Sequence, residues 1–221
     1  MAEPQRVDLS QFESLDHAKA VIERENGFDD CIQENLGVAV EGSKSFNSDF
    51  AFVLSSISRA RALHEAIVRE IRRDNPQVVF ALMRVFAETL ALIRYTADHP
   101  AYLDTVVLDP REVKSPLLKV ATTQKLVQHM DKQYSTQFHA IHAELCDMSH
   151  FGSLAVWNAH RIDPELQEER RTEWSSKPAW KLDRECLIAC AQLLELSDEM
   201  ERALNALIVA YIERNPGEGL G

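Results

Sequence analysis

Apolar residues recur along most of this chain at the spacing of α-helices. From Ser48 to Arg73, apolar side chains repeat every three or four residues, which places them on one arc of a helix that Ser48 or Asp49 is positioned to cap. Asn75-Pro76 ends this pattern, because the residue before a proline is pushed out of the helical region. Pro76 itself suits the first turn of a second helix.

The helix predicted after Pro76 has the sequence QVVFALMRVFAETLALIRYTAD and is apolar over most of its circumference. Arg84, Glu88 and Tyr95 interrupt it on one side, and His99-Pro100 ends it. A helix that is apolar nearly all round belongs in the middle of a bundle. We therefore expect this segment to be the central helix of the core.

Three further helices are predicted by the same periodicity. A short one covers Leu15–Glu25, and a final one covers about Leu182–Glu213. A single long helix is predicted from about Leu117 to Ser149, because no proline or glycine falls inside that stretch.

Residues 151–181 break the helical pattern and contain all three tryptophans of the chain, Trp157, Trp174 and Trp180. Ser153–Asn158 and Thr172–Ser175 suit two short strands, so we predict a small hairpin or lid before the last helix. The tryptophans either plug one end of the bundle or form a surface for a ligand or partner.

The resulting prediction is an all-α protein, a single bundle of about five helices with a small tryptophan-containing hairpin. Residues 1–45 are assigned to a short helix and a polar linker, and residues 46–214 to the bundle domain. Residues 151–181 form an insertion in that domain, and residues 215–221 form a tail.

Composition and charge narrow the function classes. The formal net charge of -11 disfavours non-specific nucleic-acid binding, so RNA is a partner that the overall charge does not support. No glycine lies between Gly42 and Gly152, which excludes a phosphate-binding glycine loop there. We expect no secretion signal and no membrane span, and the four cysteines include no CxxC pair, so a reduced, cytoplasmic protein is predicted.

Four potential metal ligands, His139, His142, Cys146 and His150, follow one another at spacings of three, four and four residues. On a helix they form a narrow stripe, and imidazole and thiolate are ligands that zinc and related metals accept. The stripe is about 16 Å long at 1.5 Å per residue, so one ion reaches only a neighbouring pair. The alternative is a polar helix-packing face, and we predict no cofactor.

A buried polar network is the second candidate site. His64 lies at the centre of the apolar arc of its helix, and a buried histidine requires a hydrogen-bond partner. Arg61, Arg84 and Glu88 are the candidate partners, with Tyr134 or Tyr95 in reach. The network either fixes helix register or forms a pocket for an anion or nucleotide. His150 and Trp157 complete the predicted binding residues.

The segment RARALH places Arg59 and His64 with four residues between them. This spacing resembles the arginine–histidine signature of HEPN domains, a superfamily of helical bundles that includes metal-independent ribonucleases. LMRVFAETLALIRYTADHP, followed by YSTQFHAIHAELCDMSHFGS, is also similar to bacterial proteins of HEPN-like type, over roughly Phe50 to Ser153. The resemblance implies that Arg59 and His64 would assist attack by the ribose 2′-hydroxyl across a dimer interface.

The sequence thus predicts a soluble HEPN-like interaction or binding module, working as a homodimer or with a partner protein in a defence or stress context. Two alternatives stay open. One is a metal-independent endoribonuclease that uses Arg59 and His64 as a homodimer. The other is a small-ligand or metal-binding protein that uses the polar residues of the interior.

Overall fold

Seven α-helices build the part of the protein that the computed structural model describes, namely residues 8–24, 37, 47–107, 121–134, 137–149, 160–162, 172–174 and 179–215. The protein is an all-α helical bundle, as predicted. The expected number of about five helices was too low. The helices are α1 (Leu15–Arg24), α2 (Ser48–Arg72), α3 (Pro76–Asp98), α4 (Leu103–Val107), α5 (Thr123–Gln133), α6 (Phe138–Ser149) and α7 (Asp183–Arg214), with a 3₁₀ turn at Pro100–Tyr102.

Side-chain caps fix the starts of three helices. Ser14 Oγ accepts from the His17 backbone N–H at 3.1 Å before α1, and Thr122 Oγ1 accepts from the Lys125 N–H at 3.3 Å before α5. At α2 the cap is Asn47, whose Oδ1 accepts from the Phe50 N–H at 2.8 Å. The predicted capping residue, Ser48 or Asp49, was therefore wrong by one or two positions.

The long helix predicted from Leu117 to Ser149 is instead two helices, α5 and α6. Tyr134 follows α5 with φ -126° and ψ -44°, outside regular helical geometry. The Asp131 carboxylate then accepts from the His139 backbone N–H at 3.1 Å, which satisfies a free donor in the first turn of α6. The break thus depends on tertiary contacts, without proline or glycine.

The turn between α2 and α3 has a left-handed residue. Asp74 has φ 54°, and its N–H donates to the Ile71 carbonyl at 3.2 Å, while the Asn75 N–H donates to the Glu70 carbonyl at 3.1 Å. This is the hydrogen-bond pattern of a Schellman cap, which is usually completed by glycine. The chain therefore reverses between α2 and α3 without glycine, at some cost in backbone strain.

A two-stranded antiparallel hairpin precedes α7. Strand β1 (His160–Ile162) pairs with β2 (Thr172–Trp174), with His160 opposite Trp174 and Ile162 opposite Thr172. The second strand lies where the sequence predicts it. The stretch predicted for the first strand, Ser153–Asn158, lies outside the described residues, as does Trp157.

The chain divides into two compact units. The first consists of Met1–Glu25, Leu63–Val85 and Ala140–Glu195, and the second of Asn26–Ala62, Phe86–His139 and Leu196–Gly221. Helices α2, α3 and α7 each contribute a segment to both units, and so does α6, of which only Phe138 and His139 belong to the second. The units do not follow the predicted boundaries at residues 45 and 214, and those domain assignments stay a prediction.

The core of the first unit is apolar, and surface ion pairs surround α1. Phe80 packs edge-on against Trp180 with ring centroids 5.7 Å apart. Lys19 pairs with Asp74 at 3.3 Å, and Arg72 pairs with Glu23. The fully buried side chains of this unit include Ala18, Ile22, Ile67, Ile71, Val79, Met83, Cys186, Ala189, Cys190 and Leu193.

In the second unit, Arg214 joins three elements at the end of α7. Its guanidinium pairs with Asp49 at 3.0 Å and with Asp104, and it donates to the Pro100 carbonyl at 2.7 Å. The fully buried side chains of this unit include Val53, Ala60, Phe86, Ala87, Leu90, Ala91, Leu103, Met200, Ala203, Leu204, Leu207 and Ile208. The predicted central helix, α3, supplies core residues to both units.

Among the described helices, only α3 is long and apolar enough to span a membrane by length and composition. Half of its most apolar window is buried inside the protein, as is usual for the core helix of a bundle.

Candidate functional site

Polar and aromatic side chains converge where α3 ends and α5 passes, within the second unit. The residue before Pro100 cannot continue α3, so the helix ends at Asp98 and presents its last turn to α5. On α5, Lys125, His129 and Lys132 follow at four and three residues and share one face. We call the group the Asp98 cluster; its members are Arg94, Tyr95, Asp98, His99, Tyr102, Lys125, His129 and Tyr134.

Asp98 is the centre of the cluster. Its Oδ2 accepts from the Tyr134 hydroxyl at 2.5 Å and lies 2.7 Å from His129 Nε2, while its Oδ1 is 3.7 Å from Arg94 Nε. Because an ionised carboxylate only accepts, the proton of the histidine bond belongs to His129 Nε2. In neutral His129 the basic nitrogen is consequently Nδ1.

His99 has the opposite tautomer. Its Nδ1 is 3.0 Å from the carbonyl oxygen of Tyr95, and a carbonyl also only accepts, so Nδ1 carries the proton and Nε2 is the basic nitrogen. The ring stacks on Tyr95 with centroids 4.3 Å apart and an interplanar angle of 20°. The His99 and His129 rings are 5.1 Å apart. Two imidazoles in complementary tautomers thus lie side by side.

Cations border these rings. The Lys125 ammonium lies 5.2 Å from the Tyr95 ring centroid, and the Arg94 guanidinium lies 3.9 Å from the Tyr134 centroid. A side-chain hydrogen bond with Tyr95 raises the pKa of Lys125, so this amine stays charged at neutral pH. Burial, followed by the bond to Asp98, raises the pKa of Tyr134, although Arg94 opposes the shift. The phenol therefore stays neutral and donates.

The cluster is accessible from solvent. Tyr134 is 39% exposed, and His99 and Lys125 are exposed as well. The side chain of Asp98 is 24% exposed to solvent and that of His129 is 14% exposed. Exposed rings and a lysine therefore surround a half-buried carboxylate–imidazole pair. An arrangement of this kind can bind a planar anionic ligand and exchange protons with it.

Of the two residues implied by the HEPN resemblance, Arg59 is exposed and its Nε donates to Thr89 Oγ1 at 3.3 Å. His64 is only 2% exposed, as its place on the apolar arc predicts. Burial lowers the pKa of His64 to about 4, although the nearby charge of Glu65 opposes the shift. A buried imidazole that stays neutral is poorly placed to act on RNA in this fold.

The predicted polar network is divided between the two units. His64 and Arg84 belong to the first and Arg61 and Glu88 to the second. Arg84 lies 3.4 Å from Ser149 Oγ, and both Arg84 and Glu88 are half-buried. Arg61 is exposed, so its expected burial was wrong; it lies at the edge of the apolar arc. The network as a whole stays a prediction.

The predicted metal stripe lies on α6 and just beyond it. His142 Nδ1 is 3.7 Å from Cys146 Sγ, while His139 is exposed at the start of the helix. His150 lies outside the described residues. Within the described part of the chain, no three histidine, cysteine, aspartate or glutamate side chains gather in a way that could hold a metal ion.

A buried thiol pair lies in the first unit, on α7. Cys186 and Cys190 are both fully buried. The hydrogen bond between their side chains lowers the pKa of Cys186 and raises that of Cys190. Lys19 has a smaller effect that lowers the pKa of both thiols, while the carboxylates of Asp74 and Asp183 raise that of Cys186.

Sequence reasoning found Tyr134 but missed its partners. It expected Tyr134 near His64, whereas the hydroxyl donates to Asp98, and it assigned no role to His99, His129, Arg94 or Lys125. The available signals were the Asp98-His99 pair at a helix end and the spacing of Lys125 and His129 on one helical face.

The chain was also compared with known proteins. No protein-family model, curated protein or solved structure matches it. The HEPN-like resemblance therefore stays a prediction that rests on the residues quoted above.

Proposed function

We propose that this protein is a helical binding module that holds single-stranded RNA at the Asp98 cluster and cleaves it without a metal. The observation that carries the proposal is the pair of imidazoles in complementary tautomers, with ring centroids 5.1 Å apart. The two basic nitrogens, His99 Nε2 and His129 Nδ1, suit the base and the acid of one reaction.

The exposed rings suit unpaired bases. Single-stranded RNA is commonly recognised by stacking on tyrosine, histidine and arginine, with cations at the backbone. His99 stacked on Tyr95 and the exposed ring of Tyr134 offer two such surfaces, and Lys125 is placed for a phosphate. A paired base has no free face for these rings, so the proposal is restricted to single strands.

In the proposed reaction, His99 Nε2 removes the proton of a ribose 2′-hydroxyl, whose oxygen attacks the adjacent phosphorus. Protonated His129, paired with Asp98, gives its Nδ1 proton to the departing 5′-oxygen. The bond from phosphorus to the 2′-oxygen forms as the bond to the 5′-oxygen breaks, leaving a 2′,3′-cyclic phosphate. The Lys125 ammonium stabilises the negative charge that develops on the phosphate oxygens.

The net charge of -11 limits how much RNA the protein can hold. Lys125 and Lys132, on the shared face of α5, are two exposed cations that can bind phosphates. Each neutralised phosphate contributes a slope of about -0.7 to the logarithm of affinity against the logarithm of salt, so two lysines give about -1.4. Weak, mildly salt-dependent binding is therefore expected.

The test is cleavage of a fluorescent oligoribonucleotide at low salt in EDTA, comparing wild type with His99→Ala and His129→Ala. We expect each variant to lose about 100-fold or more in rate, the usual contribution of a general acid or base. His139→Ala is the matched control, an exposed histidine of the same unit outside the cluster. A 2′-deoxy substitution at the cleaved position should stop the reaction.

Two results would overturn the proposal. One is equal activity, or equal inactivity, of wild type, His129→Ala and His139→Ala. The other is a rate lost in His64→Ala but kept in His99→Ala, which would favour the Arg59 and His64 site of the sequence-based alternative. Binding is followed separately by fluorescence anisotropy with an oligonucleotide that carries 2′-O-methyl groups and cannot react.

The HEPN-like resemblance adds a homodimer and a defence or stress role to this proposal. The Asp98 cluster is formed by residues of one chain, so the proposed chemistry does not require the dimer. Light scattering on the purified protein at micromolar concentration tests the dimer directly, and a monomer would contradict it.

A further inference from the structure

Cys186 and Cys190 lie one helical turn apart on α7, on the same face and without solvent exposure. Side chains at this spacing have their Cβ atoms about 5 to 6 Å apart. A disulfide requires Cβ atoms roughly 3.5 to 4.5 Å apart, so it would distort the helix. A metal ion that bridges the two sulfurs holds them further apart than a disulfide does, since two metal–sulfur bonds of about 2.3 Å in line separate the sulfurs by roughly 4.6 Å.

We propose that Cys186 and Cys190 are a two-thiolate binding site for monovalent copper in the buried core of the first unit. Among the described residues, no third histidine, cysteine, aspartate or glutamate joins the pair to form a metal-binding group. A divalent zinc ion takes four ligands, so two thiolates would leave its coordination shell incomplete. Monovalent copper prefers soft sulfur ligands and accepts two of them in line.

Binding releases one proton from each of the two thiols, so that two thiolates with one Cu(I) carry a single negative charge.

The experiment is an anaerobic titration of the full chain with Cu(I) supplied as its bathocuproine disulfonate complex. We expect one ion per chain for wild type and for Cys31→Ser/Cys146→Ser, and none for Cys186→Ser/Cys190→Ser. Equal copper uptake by the two double variants would overturn the proposal.

Because serine at two buried positions can prevent folding, X-ray absorption on Cu(I)-loaded Cys31→Ser/Cys146→Ser provides an independent decision. Its only thiols are Cys186 and Cys190. A spectrum with two sulfur ligands is expected, and nitrogen or oxygen ligands would overturn the site. RNA cleavage plays no part in these measurements, so this site and the proposed function fail separately.

Discussion

Protonation of His64 should destabilise the protein in mild acid. Its side chain is 2% exposed, and burial lowers its pKa to about 4 from the usual 6.5. Between these two pH values the unfolded chain binds a proton that the folded protein excludes. Stability from this group is therefore complete above pH 6.5 and is lost progressively as the pH falls towards 4.

The magnitude follows from the two pKa values. At pH 5 the folded protein still excludes the proton, and the medium is 1.5 units below the unfolded pKa of 6.5. At about 1.36 kcal/mol per unit, His64 alone removes about 2 kcal/mol of unfolding free energy between pH 7.5 and pH 5. That is a large share of the roughly 5 to 15 kcal/mol typical of a folded protein.

Urea denaturation followed by circular dichroism at pH 7.5, 6.5, 5.5 and 5 measures this term. His64→Leu replaces the imidazole with an apolar side chain of similar size that cannot titrate. Between pH 7.5 and pH 5 its free energy of unfolding should therefore fall about 2 kcal/mol less than that of wild type. His139→Gln, which removes an exposed histidine, should follow wild type. If the unfolding free energies of wild type and His64→Leu change in parallel with pH, burial does not lower the pKa of His64.

Three further substitutions test other contacts by urea denaturation. Asp74→Gly should be more stable than Asp74→Ala by about 1 kcal/mol, since both remove the carboxylate and only glycine adopts φ 54° without strain; equal stabilities would contradict this. Arg214→Gln should lower the free energy of unfolding by about 1.5 to 3 kcal/mol, because it removes the contacts of the guanidinium with Asp49 and Pro100. The surface control Arg202→Gln should lower it by less than about 0.5 kcal/mol. Tyr134→Phe should cost about 1 kcal/mol by removing the hydroxyl from Asp98, and should lose this effect when Asp98 is already alanine.

Local sequence signals were sufficient for the long helices. The ends of α2, α3 and α7 lie within one or two residues of the predicted positions, because periodic apolar residues are followed there by Asn75-Pro76, His99-Pro100 or Asn215-Pro216. The burial of His64 was predicted from the same periodicity and is confirmed. These features depend on neighbouring residues alone.

The break between α5 and α6 and the Asp98 cluster depend on distant residues instead. Tyr134 leaves the helix where its hydroxyl meets Asp98, 36 residues earlier in the chain. His129 meets the same carboxylate across 31 residues. Helical periodicity shows which residues share a face, but it does not show which helix the face will meet, so neither contact was predictable.

Because the chain is divided into two units, the unfolding of each unit can be followed by a separate signal. The proposed RNA cleavage would report on the second unit, because every member of the Asp98 cluster belongs to it, and the reactivity of the Cys186 and Cys190 thiols would report on the first. Recording both signals in one denaturant series would show whether the halves melt together or in sequence. Because four helices contribute residues to both units, coincident midpoints would mean that unfolding is transmitted along these helices.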